Sequence, residues 1–383
     1  MAKSSLVDNS FLDWPFFEPR HRQLATLLET WCEQNLPVDH SDVDQACQTL
    51  VAALGSAGFL EHSAASSDEK LDVRSLCLIR ETLARHDALA DFAFAMQGLG
   101  MGAVSLFGSA EQQQWLSHTR SGNAISAFAL TEPASGSDVA NISTSAVANA
   151  EGYLLNGEKT WISNGGIADV YTVFARTGDA PGAKGLSAFL LPADTPGLKV
   201  AERLETIAPH PLARLVFDNV QLPHSALIGR QGGGFGVSMA VLDVFRSTVG
   251  AAALGMARRA LQEAGKRCGE RQLFGAPLGQ LQMVQGHIAD MALDIDASAL
   301  LVYRAAWSKD QGAARVSREA AMAKLHATES AQRAIDAAVQ LHGADGVRSG
   351  TVVEGLYREI RALRIYEGAS DVQKTIIARQ VLD

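Results

Sequence analysis

Apolar residues recur at helical spacing through the first third of the chain. Leu24, Leu27, Leu28 and Trp31 share one helical face, with Asp13-Trp14-Pro15 as an entry turn. Residues 41–57, ended by Gly58, and residues 71–89 predict two more helices. Residues 91–107 are apolar almost all round and rich in Gly, Ala and Met, the pattern of a buried helix. Ser109 with Gln112 gives a capping box that opens a further short helix.

The period changes beyond Gly122. Ile125, Ala127 and Ala129 alternate along 124–131, as in a strand. Asn156-Gly157 stands between the apolar flanks of 153–162, the strongest short-range hairpin signal. Residues 170–175, 186–191 and 215–220 read as further strands, with Gly178, Pro181, Gly182, Pro196, Gly197 and Pro209 in the turns. A compact antiparallel β unit is expected. The glycine run 232–236 reads as a flexible joint. Helical spacing then returns in Val284, Ile288, Met291, Ile295, Ala299 and Val302. Ala320, Ala327, Ala331 and Ala338 form a small-residue seam along which helices approach closely. The order is helices, a β unit, then a helix bundle.

Composition narrows the classes. The chain has 383 residues, 47% hydrophobic and 20% charged, enough apolar material for two or three domain-sized units. A net charge of −9 with no long basic run argues against nucleic acid as a partner. Cys32, Cys47, Cys77 and Cys268 form no CxxC pair, which suits a reducing compartment. No apolar run reaches about 18 residues, so no membrane span is expected. Asp8, Asp13, Glu18 and Glu29 interrupt the first thirty residues, which lack both a secretory apolar core and a transit face. A cytoplasmic location is the expectation.

Nucleotide loops of the Walker and Rossmann kinds are missing, as are HExxH and GxSxG, so neither a metal nor a serine nucleophile is expected. Three stretches carry chemistry. Residues 128–138 begin as a strand, break at Pro133, and offer Thr131, Ser135, Ser137 and backbone amides to an acceptor-rich ligand edge. Trp161 and Ser163 would share one face of a strand, an indole and a hydroxyl suited to a flat ring such as a flavin. In residues 364–373, Ser370 with Gln373 reads as a capping box, Gly368 allows a bend, and Glu367 sits on that bend. A carboxylate so placed is set up as a general base. Taken singly, the commoner readings are a polar turn, a core tryptophan and a solvated glutamate.

Taken together, Thr131-Glu-Pro-Ala-Ser-Gly-Ser-Asp138, Trp161-Ile-Ser-Asn164, Arg271-Gln-Leu-Phe274 with Gln282, Gln340-Leu-His-Gly343 with Gly346, and Tyr366-Glu-Gly368 resemble the acyl-CoA dehydrogenase family in their order. Asp218-Asn-Val-Gln-Leu-Pro223 is similar to the family's signature at the end of its β unit. The resemblance covers nearly the whole chain. It implies an α+β, mostly α fold: an N-terminal helical domain (1–122), a central antiparallel β-barrel-like domain (123–229) and a C-terminal four-helix bundle (230–383). It implies one FAD per subunit and a homotetramer. Phe128, Leu130, Thr131, Trp161 and Ser163 would line the flavin. Arg271, Phe274, Gln282, Gln340 and Gly343 would reach the FAD of a neighbouring subunit, and Ala369 and Asp371 would lie at the cofactor. Ser137, Asp243, Arg246, Tyr366 and Gly368 would bind the substrate. Glu367 would take the α-proton of an acyl thioester while flavin N5 accepts hydride, with electrons passing to an electron-transfer flavoprotein. The family's second base position falls on Phe245, which cannot accept a proton. Ala369 stands where the family often has Thr, and residues 207–211 replace a common Gly-x-Arg segment, which keeps an acyl-carrier-protein thioester open as the substrate. An oxygen-using oxidase or monooxygenase is the other enzyme class, and Glu367 in Tyr366-Glu-Gly368 argues against a monooxygenase, which needs no thioester base; Thr131, Ser137, Trp161, Arg271 and Glu367 together argue against a non-catalytic scaffold.

Overall fold

The computed structural model describes residues 8–66, 69–178 and 180–382; the outermost residues of the expected first and last domains, 1–7 and 383, lie outside them. In chain order the helices are α1 (Pro19–Asn35), α2 (Val43–Ser56), α3 (Val73–His86), α4 (Ala88–Phe107) and α5 (Gln114–Arg120). The strands follow: β1 (Ser126–Ala129), β2 (Ser145–Asn149), β3 (Gly152–Ser163), β4 (Val170–Arg176), β5 (Leu186–Pro192), β6 (Leu198–Arg203), β7 (Leu212–Pro223) and β8 (Leu227–Ile228). The chain closes with α6 (Gly234–Glu270), α7 (Gln282–Asp310), α8 (Ser317–His342), α9 (Val352–Leu363) and α10 (Ser370–Leu382). The order of helices, sheet and helices is as the apolar pattern implies.

These elements pack as two compact units. One contains Asp39–Leu71 and Phe92–Leu242. Its sheet runs β6-β7-β3-β2-β4-β5-β8, with β1 added on β4. The sheet is mixed, which corrects the expectation of a purely antiparallel one. β1 pairs with β4 in parallel from Ser126↔Val170, and β2 meets β4 in parallel at Ser145↔Arg176. Asn156-Gly157 makes no hairpin. β3 runs straight through it, with a bulge against β7 between Leu155 and Gly157. Gly157 has φ +141°, and a Cβ there would come within 2.7 Å of Thr144 Cα. The hairpin turn comes earlier, at residues 150–151 between β2 and β3. In the glycine run, Gly234 packs closely: a Cβ there would lie 2.5 Å from the Ser187 backbone. The Ser109–Gln112 pair does cap reciprocally, Ser109 N–H donating to Gln112 Oε1 (3.0 Å) and Gln112 N–H to Ser109 Oγ (3.3 Å).

The other unit draws on three separated stretches, Met1–Val38, Asp72–Asp91 and Asp243–Asp383. Here α8 packs along α7 through its alanine seam, where Ala320, Ala327, Ala331 and Ala338 are fully buried. At the other face α3 meets α7. Asp310, at the end of α7, accepts the Val73 and Arg74 N–H groups at 2.8 and 3.1 Å and so caps α3 from outside. By length and hydropathy α4 and α6 match membrane spans, contrary to the expectation from uninterrupted runs. Most of both windows is buried inside the protein, which accounts for their apolarity.

Candidate active site

Between α9 and α10 the backbone turns sharply. Ile365 and Tyr366 N–H both donate to Ala362 O, and Ser370 N–H donates back to Arg364 O at 3.1 Å. Glu367 (φ +51°) and Gly368 (φ +95°) are consecutive left-handed residues. A non-glycine residue held there is strained, a cost usually met where function fixes the backbone. The predicted capping box does not form. Ser370 Oγ donates instead to Glu329 Oε1 on α8 (2.6 Å), and Gln373 Nε2 donates to Gly368 O (2.9 Å). Gln373 N–H donates to Ala369 O rather than to Ser370 Oγ, and Ser370 Oγ turns to the Glu329 carboxylate, so tertiary contact wins over the local motif.

Glu367 is half-buried as a residue, but its Oε2 is enclosed and has no hydrogen-bond partner. Among the described residues its backbone N–H has none either. Burial pushes the Glu367 carboxyl up to about 7; Arg80, Lys324 and Arg246 oppose the rise, and Asp91 adds to it. Arg80 is itself fully buried, donating to both Asp91 oxygens at 2.8 Å and to Thr248 Oγ1 at 3.0 Å. Arg246 donates to Asp243 Oδ1 (2.8 Å), and Asp243 Oδ2 accepts from Ser317 Oγ (2.9 Å). The structure thus groups Asp243, Arg246, Glu367 and Gly368, with Tyr366 at the exposed edge of the bend.

A cleft of about 480 Å³ in the same unit is lined by Arg267, Arg271, Gln340, His342 and Gly343, among others. Arg267 donates to His342 O (3.2 Å), while its buried Nε has no partner. Phe274 and Gln282 do not line this cleft. Phe274 is 93% exposed at φ +53°, and Gln282 is exposed at the start of α7. Ala369 is half-buried in the bend, and exposed Asp371 pairs with Lys374 at 3.1 Å.

In the sheet unit, the block at 131–138 is braced by a buried ion pair. Lys159 Nζ donates to Glu132 Oε1 (2.8 Å) and Leu130 O (2.9 Å). Glu132 also accepts from Ser143 N–H, Ser143 Oγ and Thr144 N–H. Burial alone would raise the Glu132 carboxyl, yet Lys159 holds it down at about 2. Thr160 N–H donates to Thr131 O (2.9 Å), bringing Thr131 beside the strand that carries Trp161 and Ser163. Trp161 lies at a β3 bulge with φ +58° and is 56% exposed. The bulge breaks the alternation, so a shared face for Trp161 and Ser163 does not follow from spacing. Phe128 packs on Phe174 with ring centroids 4.9 Å apart, Leu130 is buried, and Ser137 is exposed.

Comparison with known proteins places this arrangement. Three family profiles match in order: acyl-CoA dehydrogenase N-terminal domain (18–123), middle domain (127–220) and C-terminal domain (232–382). The short-chain specific acyl-CoA dehydrogenase of Homo sapiens mitochondria is 36% identical over 371 residues, 94% of this chain and 90% of that protein. This chain belongs to the acyl-CoA dehydrogenase family. The structure of butyryl-CoA dehydrogenase from Megasphaera elsdenii superposes with a TM-score of 0.88 at 31% identity, covering 96% of this chain and 99% of that one. PigA with FAD and proline superposes at 0.87 and 28% identity, covering 95% and 98%. As an acyl-CoA dehydrogenase the protein is a flavin-dependent oxidoreductase of CH–CH bonds.

Phe245 is buried in this acyl-CoA dehydrogenase, so no carboxylate stands at that position. Sequence reasoning passed over Arg80, Asp91, Lys324 and the Glu132–Lys159 pair. A signal existed for two of them. Lys324 falls on the alanine seam between Ala320 and Ala327, and Arg80 between Leu76 and Leu83, each a charge on an otherwise apolar stripe.

Proposed function

We propose that Glu367 is the base of the acyl-CoA dehydrogenation. The observation that supports it is an enclosed carboxylate, without a hydrogen-bond partner, at the crown of a left-handed bend and poised near neutrality. A carboxylate in water is too weak to deprotonate carbon beside a thioester, and burial strengthens it. The C–H electron pair of the α-carbon becomes the new double bond as its proton moves to Glu367. FAD, when bound, supplies the acceptor for the hydride that leaves the β-carbon. The free Glu367 N–H is available to the thioester oxygen, where one preorganised donor is worth about 3–4 kcal/mol. Arg246, held by Asp243, and exposed Ser137 would bind the thioester arm, with Tyr366 and Gly368 forming the wall at the bend.

The donor set suits FAD. Arg271, with Arg267 and the Gly343 turn, provides the bidentate cationic chemistry a pyrophosphate takes, and Arg267 Nε lacks a partner. Exposed Trp161, with Ser163, Thr131, Leu130 and Phe128, suits the ring system. Exposed Phe274, Gln282 and Gln340 would reach the cofactor of a second copy in a homotetramer, and Ala369 and Asp371 its adenosine end. An electron-transfer flavoprotein would reoxidise the enzyme.

The test is Glu367→Gln in the FAD-loaded protein, mixed with acyl-CoA. The variant should stay yellow and lose flavin bleaching by at least about 100-fold, the lower range for a general base; rapid bleaching would exclude Glu367. A carrier-protein thioester is the second reading. It is favoured by residues 207–211, where His210 packs edge-on against Phe92 at 4.5 Å in place of the family's Gly-x-Arg. Titration with matched CoA and carrier-protein thioesters separates the two.

A further inference from the structure

Lys324 is fully buried on α8, amid the alanine seam. An ammonium taken out of water is costly unless it is bonded and has a counter-charge. Its Nζ donates to the Gly368 carbonyl at 2.8 Å. Gln373 Nε2 donates to the same oxygen at 2.9 Å, so both lone pairs of that carbonyl are filled. Gly368 O belongs to the peptide that follows the two left-handed residues, Glu367 and Gly368. A Cβ at Gly368 would overlap Gln373 Nε2, so the clamp also requires glycine there.

The rest of the bend is held from the same helix. Glu329, five residues beyond Lys324, accepts from Arg364 Nε at 2.9 Å, pairs with Arg364 Nη2 at 2.7 Å, and accepts from Ser370 Oγ at 2.6 Å. Those contacts fix the two ends of the bend, and Lys324 is the side chain of α8 that reaches the residue next to Glu367, where Gln373 of α10 joins it. We propose that Lys324 is the positioning residue of this active site: by gripping the Gly368 carbonyl from α8 it holds the left-handed backbone that presents the Glu367 carboxylate, and it serves as one of that carboxylate's counter-charges. This rests on the reading of Glu367 as the base.

The charges facing Glu367 are Arg80 on α3, Asp91 on α4, Arg246 on α6 and Lys324 on α8. Those facing Lys324 are Glu367 and Glu329, which favour its charge, and Arg246 and Arg364, which oppose it. Burial brings Lys324 down to about 8, so it remains mostly charged at neutral pH. Arg80 is committed to Asp91 and Thr248, and Arg246 to Asp243. Lys324 has no carboxylate among the hydrogen-bond partners of its Nζ, and its charge acts on Glu367 first and on Glu329 second.

The experiment compares Lys324→Met, which removes donor and charge, with Lys324→Gln, which keeps an N–H donor without the charge, both as FAD-loaded protein. Two quantities are followed: amide hydrogen exchange over residues 364–371, and the pH profile of flavin bleaching by acyl-CoA. For Lys324→Met, exchange in the bend should rise by about tenfold as local opening becomes easier. Bleaching should fall by about 100-fold, the cost of a misplaced group, at a nearly unchanged KM. For Lys324→Gln, exchange should stay near that of the parent while the midpoint of the pH profile moves upward. Parent-like exchange in the Met variant, or an unmoved midpoint in the Gln variant, would overturn the proposal. If the Met variant does not fold, the Gln variant still decides: an unmoved midpoint there overturns the proposal. Exchange reports on the clamp even if Glu367→Gln were to bleach normally, so failure of the base assignment and failure of the clamp give different results.

Discussion

Glu367 changes its proton affinity on folding, and the sign of that change has two consequences. Its carboxyl rises from the ordinary 4.5 to about 7, so between those values the folded protein holds a proton the unfolded chain has released. Its contribution to stability therefore falls as pH rises from about 4.5 to about 7. Its contribution to the reaction runs the other way, because only the ionised form accepts a proton. The rate of flavin bleaching by substrate should increase with pH through about 7 and then level off, measured by rapid mixing across pH 5.5–8.5 (about one and a half units either side of the midpoint). A profile flat across this range would mean that another group limits the step. Glu132 has the opposite sign. Lys159 holds it at about 2, so its stabilisation is present above about 4.5 and is lost as pH falls toward 2. Lys159→Met leaves a buried carboxylate without its cation, and loss of one partner of a buried pair costs about 3–5 kcal/mol. Denaturant unfolding at neutral pH should register that loss, while a loss below about 1 kcal/mol would show the remaining Ser143 and Thr144 bonds to be sufficient. Glu367 was legible in the sequence because it stands in a compact motif. The roles of Arg80, Lys324 and Lys159 were not, because each makes its key contact with a residue 11 or more positions away, Asp91, Gly368 and Glu132, and a charge on an apolar stripe does not name its partner.

Elements that rely on long apolar periods were read within a few residues, as the alanine seam of α8 and the buried helix α4 show. Elements fixed by backbone geometry were not. Asn156-Gly157 has the chemistry of a hairpin turn, and the sheet uses its left-handed freedom for a bulge because Thr144 approaches too closely for any side chain. β2 escaped notice because it is short and half small residues, with Val147 pointing its apolar surface to solvent at 64% exposure. Glycines inside helices carry similar information. Gly255 lies mid-way along α6, where a glycine costs about 1 kcal/mol in helix propensity relative to alanine. A Cβ at Gly255 would overlap the Glu81 carbonyl oxygen of α3. Overpacking of this kind costs about 1–3 kcal/mol, more than the gain in propensity. Gly255→Ala should therefore lower the unfolding midpoint in denaturant; a raised midpoint would show that α3 and α6 can separate without loss.

Chain order divides the molecule into three, whereas packing joins its beginning to its end. Tyr303 on α7 is fully buried, stacked on Phe11 at 5.6 Å and edge-on to Phe17 at 4.7 Å, and its hydroxyl donates to Glu81 of α3. Arg258 of α6 pairs with the same Glu81 at 2.6 Å and lies over the Phe11 ring at 4.4 Å. Arg74 of α3 donates to Asp310 of α7 (2.7 Å), to Glu18 (2.8 Å) and to Phe16 O (2.7 Å). The contacts of Tyr303, Arg258 and Asp310 among these link residues more than 170 positions apart, and no local pattern announces them. A fragment starting at 232 retains α6–α10, the Glu367 bend and Lys324, yet loses every aromatic and ionic partner of Tyr303, Arg258 and Asp310 supplied by residues 11–81. Burying Asp310 or Arg258 without those partners is unfavourable by several kcal/mol each, and exposing Tyr303 forfeits about 1.5–3 kcal/mol of apolar burial. The sum is comparable to the whole stability of a domain. The fragment should therefore keep helical circular dichroism but melt without a cooperative transition and bind a hydrophobic dye, while the full chain melts cooperatively. Cooperative melting of the fragment at the temperature of the full chain would show that the last third folds independently of α1 and α3.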